Sequence, residues 1–158
     1  MGIFVRDIIN ESDLELSKLI KEDTINIVFG SMNVVKEINE SFKINKDKGN
    51  NKIYILIRNK YLDGVNGQPI PHDCTVKFIK NDMFGHNGMK GAPFSVSEKP
   101  KLRSNEKVNR DDSKFVKNFI KNNYKDILEY WNLPNTKNGI KRMNEIENEL
   151  KLKYGVIN

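Results

Sequence analysis

Apolar residues come in short blocks through the first two-thirds of the chain and recur every three or four positions through the last third. The densest block is residues 52–58 (KIYILIR), where five consecutive apolar residues predict a strand covered on both faces. Residues 74–80 (CTVKFIK) alternate instead. Cys74, Val76 and Phe78 fall on one side and Thr75 and Lys77 on the other, the pattern of a half-exposed antiparallel strand. Residues 25–29 (INIVF) are β-branched and bounded by Gly30, which favours a strand over a helix. Residues 2–9 read as a short strand or an extended lead-in, and residues 94–97 as one more short strand before Pro100.

Helical spacing appears first after Ser12 and Glu15, which stand three apart as in a capping box and open a helix to about residue 21. Met32, Val35, Ile38 and Phe42 predict a second helix over residues 32–44, ended by the polar stretch 46–51. In the last third, Val116, Phe119, Ile120, Ile127, Tyr130 and Trp131 share one side of a 100° wheel. They predict a helix capped by Asp111, Asp112 or Ser113 and running to about Trp131. Leu133-Pro134-Asn135 interrupts it. Asn135 or Thr136 then caps a last helix carrying Ile140, Met143, Leu150 and Tyr154. The expected fold is α+β over residues 1–158 as a single domain. Residues 1–100 hold a small, mainly antiparallel sheet flanked by helices, and residues 111–154 form a C-terminal αα-hairpin.

Composition narrows this picture. At 158 residues with 37% hydrophobic residues the chain can bury a core, and global disorder is not expected. Asn and Lys each occur 22 times and Ile 18 times, while Ala92 is the only alanine. These preferences follow A/T-rich codons and suit a bacterial genome or one of its mobile elements. The lone Cys74 excludes an internal disulfide framework and a multi-cysteine zinc site. The first twenty residues lack the apolar stretch of a signal peptide, and no run approaches the 18 apolar residues of a spanning helix. A soluble, cytoplasmic protein with no membrane partner is the expectation.

Charge changes the picture more. The chain carries +6 overall, yet residues 77–125 hold twelve cations against five carboxylates, a local +7, while residues 1–76 sum to −1 and residues 126–158 to zero. Within that stretch Lys114, Lys117, Lys121 and Lys125 are spaced 3, 4 and 4 residues apart. On a helix they occupy an arc of about 80°, roughly opposite the apolar side. Such a ridge can follow a phosphate backbone, each neutralised phosphate releasing a counterion. Arg103, Lys107 and Arg110 lie just upstream and extend the surface. Solvated lysines on an amphipathic helix are the plain alternative.

A second constellation lies in residues 64–100, which hold both histidines, the cysteine, half the glycines and four of five prolines. Were His72, Asp73 and His86 to converge, two imidazoles and a carboxylate could serve acid–base work or hold a divalent metal, with Lys90 stabilising developing charge. The stretch carries no HExxH and no zinc-finger spacing, so no metal or cofactor is expected from it. Gly64-Val65-Asn66-Gly67 matches a GxxG pattern but follows a strand, and Gly85 to Gly91 is neither a phosphate-binding P-loop nor a dinucleotide fingerprint. Both read as turns. The aromatic residues of the long helix and Cys74 read as core.

These signals favour a small basic non-enzymatic binding protein directed at nucleic acid or a nucleoprotein. A phage or mobile-element regulator, or a stoichiometric inhibitor of a host nucleic-acid-targeting system, would suit the composition. The alternatives are a small nuclease or toxin using His72, Asp73 and His86, and an adaptor whose basic surface meets an acidic protein.

Overall fold

The computed structural model describes residues 24–30, 52–80, 84–85, 88–89 and 91–154. Six strands and two helices follow in chain order: β1 (Thr24–Phe29), β2 (Lys52–Ile57), β3 (Thr75–Lys80), β4 (Phe84–Gly85), β5 (Gly88–Met89), β6 (Ala92–Ser95), α1 (Arg110–Asn132) and α2 (Lys137–Lys153). The expected elements at residues 2–9, 12–21 and 32–44 lie outside the described residues.

Strands β1, β2, β3 and β6 form one sheet in that order, and β4 pairs with β5 in a separate two-stranded ribbon. The sheet is mixed. β1 runs parallel to β2, pairing Ile27 with Ile55, while β2–β3 and β3–β6 are antiparallel. The apolar run of β2 behaves as expected of a strand covered on both sides: Ile53, Tyr54, Ile55, Leu56 and Ile57 are all buried. Register assigns the two faces. Ile53, Ile55, Ile57, Val76, Phe78, Ala92 and Phe94 share the face packed against the helices. Tyr54, Leu56, Thr75, Lys77, Ile79, Pro93 and Ser95 share the other.

Helix α1 lays its apolar side on the first face, burying Phe115, Val116, Phe119, Ile120, Ile127, Tyr130 and Trp131. Its cap is Asn109, two to four residues ahead of Asp111, Asp112 and Ser113, which the sequence suggests. The Asn109 side chain accepts from the Asp112 amide at 2.8 Å and donates to the Asp112 carboxylate at 2.8 Å. Asp112 is occupied otherwise: it is buried and paired at 3.0 Å with Lys80, which the register of β3 turns toward the helices. Thr136 caps α2 as expected, accepting from the Gly139 amide.

The two helices form an antiparallel pair. Tyr130 Oη donates to Glu147 at 3.0 Å, Arg142 forks onto Glu129 at 2.7 and 3.1 Å, and buried Asn123 bonds Tyr154 Oη. Met143, Ile146, Leu150 and Tyr154 face the core, but Ile140 is exposed. On the wheel Ile140 stands about 90° from the mean direction of the buried α2 residues, so the rotation that inserts Met143, Ile146 and Leu150 carries it outward. Among the described residues no helix is long and apolar enough to cross a membrane.

Candidate nucleic-acid interface

With α1 fixed by its apolar side, the lysines follow. Lys114, Lys117, Lys121 and Lys125 are all exposed, and so are Arg103, Lys107 and Arg110 in the segment leading into the helix. The lysine arc does not stop at Lys125. Leu128 and Asn132, three and seven residues further on, fall within the same arc at 100° per residue. Both line an open cleft of about 1110 Å³. From Lys114 to Asn132 this row spans about 27 Å at about 1.5 Å per residue. The ridge therefore leads into a concavity.

The cleft lies where β3 begins, β6 ends and α1 terminates. Lys60, His72, Thr75, Lys77, Ser95 and Arg103 supply its main polar lining, with Trp131 and Leu128 as apolar wall. Arg103 reaches it because residues 101–103 run along the outer edge of β6, with the Ser95 amide bonded to the Lys101 carbonyl at 2.9 Å and the Arg103 amide to that of Pro93 at 2.8 Å. Three cations, Lys60, Lys77 and Arg103, thus face a single carboxylate, Asp73, around the cleft.

Arg58 adds a fourth cation behind the wall. It is 8% exposed, its Nη2 donates to Thr75 Oγ1 at 2.9 Å, and its guanidinium lies 5.9 Å from the Trp131 ring centre. Its Nε has no hydrogen-bond partner among the described residues. Burial lowers the Arg58 pKa, with Asp63 opposing the shift. Lys77 is also drawn below its ordinary value, first by burial and then by the charge of Arg58. Two half-desolvated cations side by side make this wall a region of positive potential.

The other residues expected from sequence resolve unequally. His72 is exposed, stacks on Trp131 with ring centres 5.9 Å apart, and its Nδ1 bonds the Asp73 carbonyl at 2.7 Å. Its partner is thus main chain and not the Asp73 carboxylate. His86 and Lys90 lie outside the described residues, and among the described residues no three His, Cys, Asp or Glu side chains gather as for a metal ion. Gly64-Val65-Asn66-Gly67 is a turn: Val65 and Gln68 exchange both backbone hydrogen bonds, and Asn66 and Gly67 take positive φ of 54° and 74°. Cys74 is buried, and burial pushes its thiol up to about 12.

Arg58 and Asn59 carry no periodic signal in the sequence. Asn59 is wholly buried and organises the cleft. Its Oδ1 accepts from the amides of Tyr61 and Leu62, both at 2.9 Å, and its Nδ2 donates to the carbonyls of Tyr130 and Leu133 at 2.7 and 2.9 Å. The only sequence signal was a polar pair, Arg-Asn, placed directly after an apolar strand. No family model, no curated protein and no solved structure matches this chain.

Proposed function

We propose that this chain is a non-enzymatic binding protein that grips a polyanion, nucleic acid or a nucleoprotein, along the outer side of α1. One observation carries the reading: four exposed lysines form a single row that continues through Leu128 and Asn132 into a cleft bordered by Lys60, Lys77 and Arg103. Ammonium groups about one helical turn apart can neutralise successive phosphates, and the counterions released drive association. Like charges at i,i+4 mildly destabilise a helix, so a partner that neutralises them gives a reason for keeping them. A regulator or stoichiometric inhibitor of a nucleic-acid-targeting system, carried by a phage or mobile element with A/T-rich coding, fits such a surface and this composition. The test is charge reversal of the row, Lys114→Glu, Lys117→Glu, Lys121→Glu and Lys125→Glu together, with binding read by anisotropy of labelled single- and double-stranded oligonucleotides. A loss of at least about 100-fold with an unchanged melting curve is expected. Undiminished binding by a folded quadruple variant overturns the reading.

A further inference from the structure

The lysine row does not account for the donors at the floor of the cleft. Thr75 and Ser95 are direct cross-strand partners on the face of the sheet turned away from the helices. Each hydroxyl oxygen already accepts a hydrogen bond, Thr75 Oγ1 from Arg58 Nη2 and Ser95 Oγ from the Lys101 amide, both at 2.9 Å. A hydroxyl whose oxygen is engaged in this way still has its proton to give. Lys77, two residues beyond Thr75, lies on the same face, and its stem is laid across Gly91: a Cβ there would sit 3.2 Å from both Cβ and Cδ of Lys77. Glycine at position 91 therefore sets the path of the lysine. Arg103 comes from the edge segment on the far side of β6, held by its amide on Pro93, the cross-strand partner of Lys77.

Arg58 stands behind Thr75, and no carboxylate lies within ion-pair distance of it or of Lys77 among the described residues. Buried or half-buried cations are ordinarily paired. Here the missing negative charge points to a ligand.

We propose that Thr75, Lys77, Ser95 and Arg103 form a phosphate-binding site, reinforced from behind by Arg58, whose occupant is a phosphate monoester: the terminal phosphate of a nucleic-acid strand. Hydroxyls and charged donors around one concavity match the oxygens of a tetrahedral anion. Four cations against Asp73 and, behind the wall, Asp63 leave an excess of two positive charges, which favours a dianion over the single charge of an internal diester. The cleft exceeds one phosphate in volume, and the exposed His72 ring, backed by Trp131, offers its outer side to the base of the same nucleotide. The phosphate chemistry stands on these residues alone, whereas a strand end as its source rests on the proposed function.

Titration calorimetry of the full chain tests both parts. The probes are inorganic phosphate, a nucleoside monophosphate, the matching nucleoside, and a short single strand with and without a terminal phosphate. The monophosphate is expected to bind at least about ten times more tightly than the nucleoside, and Lys77→Gln with Arg103→Gln to remove that advantage. Ser95→Ala, a gentler change that keeps every charge, is expected to weaken phosphate and monophosphate by about threefold or more. Lys114→Gln with Lys117→Gln, about 16 Å or more along α1 from Leu128, is expected to leave monophosphate affinity within about twofold, since these lysines lie beyond a screening length and outside the donor set. Phosphate or monophosphate binding that is absent, or unmoved by both cleft variants, overturns the site. If strands bind equally with and without the terminal phosphate while the monophosphate still binds through Lys77 and Arg103, the strand-end source is overturned and a free nucleotide takes its place. A lysine reversal that spares strand binding sinks the proposed function and leaves the cleft's phosphate chemistry standing.

Discussion

The buried amide of Asn59 donates a 2.7 Å hydrogen bond to the carbonyl of Tyr130, 71 positions away, and so closes the end of α1. No glycine follows the helix, so its last carbonyls need donors from elsewhere. Asn59 supplies two, to Tyr130 and Leu133, and the Lys60 amide adds a third to Trp131. The same side chain holds the start of the loop that carries Lys60, Ile70 and His72 to the cleft. Asn59→Ala should therefore cost about 2–4 kcal/mol in urea unfolding, because it orphans buried acceptors and donors together. Asn59→Asp keeps an acceptor for Tyr61 and Leu62 but sets a carboxylate against two carbonyls, and should cost at least as much. A loss below about 1 kcal/mol for both variants would show that the helix end is held by other means.

What pattern could reveal, and what it could not, divides along physical lines. Burial leaves a period in the sequence. The unbroken apolar run of β2, the alternation of β3 and the three-and-four spacing on α1 all recorded faces that do lie against a core. The exposed lysine row was legible for the same reason, as the complement of that spacing. Tertiary pairing leaves no period. Asp112 looks like a cap until Lys80 claims it from β3, and Ile140 looks like core until the orientation of α2 is known. The parallel partnership of β1 with β2 has no local signature either. The cleft was least legible, since its lining comes from the loop after β2, two strands, the edge segment and the end of α1. Thr75 and Ser95 are ordinary hydroxyls until register places them side by side.

The Lys80–Asp112 pair joins the sheet to the first turn of α1 and is nearly enclosed, with side chains 14% and 6% exposed. Asp112→Ala removes a buried partner of a mostly buried ammonium and the carboxylate that accepts from the Asn109 side chain. The expected loss is about 3–5 kcal/mol by chemical denaturation. Substituting both members, Lys80→Met with Asp112→Leu, should recover a good part of that loss, because two apolar side chains leave no stranded charge. A double variant no more stable than Asp112→Ala alone would contradict this account.

Salt dependence separates the lysine row from general basicity. For single-stranded nucleic acid, log K should fall against log salt with a slope of about 0.7 per neutralised phosphate, and about 0.9 for duplex. If all four lysines engage phosphates, replacing them with Gln should flatten the slope by about 3 units on a single strand. Replacing Lys137, Lys141, Lys151 and Lys153 on α2 removes as many charges from the chain but none from the row. That control should leave the slope within about 1 unit of the parent. Equal flattening by both sets would mean that net charge, and not the α1 row, governs binding.

Cys74 provides a pH test of how tightly the start of β3 is packed. Its thiol is pushed from 9.0 up to about 12, chiefly by burial, with the charge of Arg58 opposing and that of Asp73 adding to the rise. The folded chain therefore holds this proton more tightly than the unfolded chain. Below pH 9 both states are protonated and the site contributes no slope. Above it the unfolded state releases its proton first, so stability falls by up to about 1.4 kcal/mol per pH unit as pH climbs toward 12. Tyr54 and Tyr130, both raised by burial, add a fall of the same sign above pH 10, whereas Lys77, lowered by burial, adds an opposing rise below its ordinary 10.5, so the thiol is read between pH 9 and 10 as the difference between the parent and Cys74→Ala. Urea unfolding at closely spaced pH values across that interval should show stability falling more steeply with pH in the parent than in Cys74→Ala. At pH 8 the folded protein should resist thiol-labelling reagents and react only as fast as it opens. Identical slopes in the parent and Cys74→Ala, or rapid labelling of the folded chain, would mean that water reaches this thiol from the cleft.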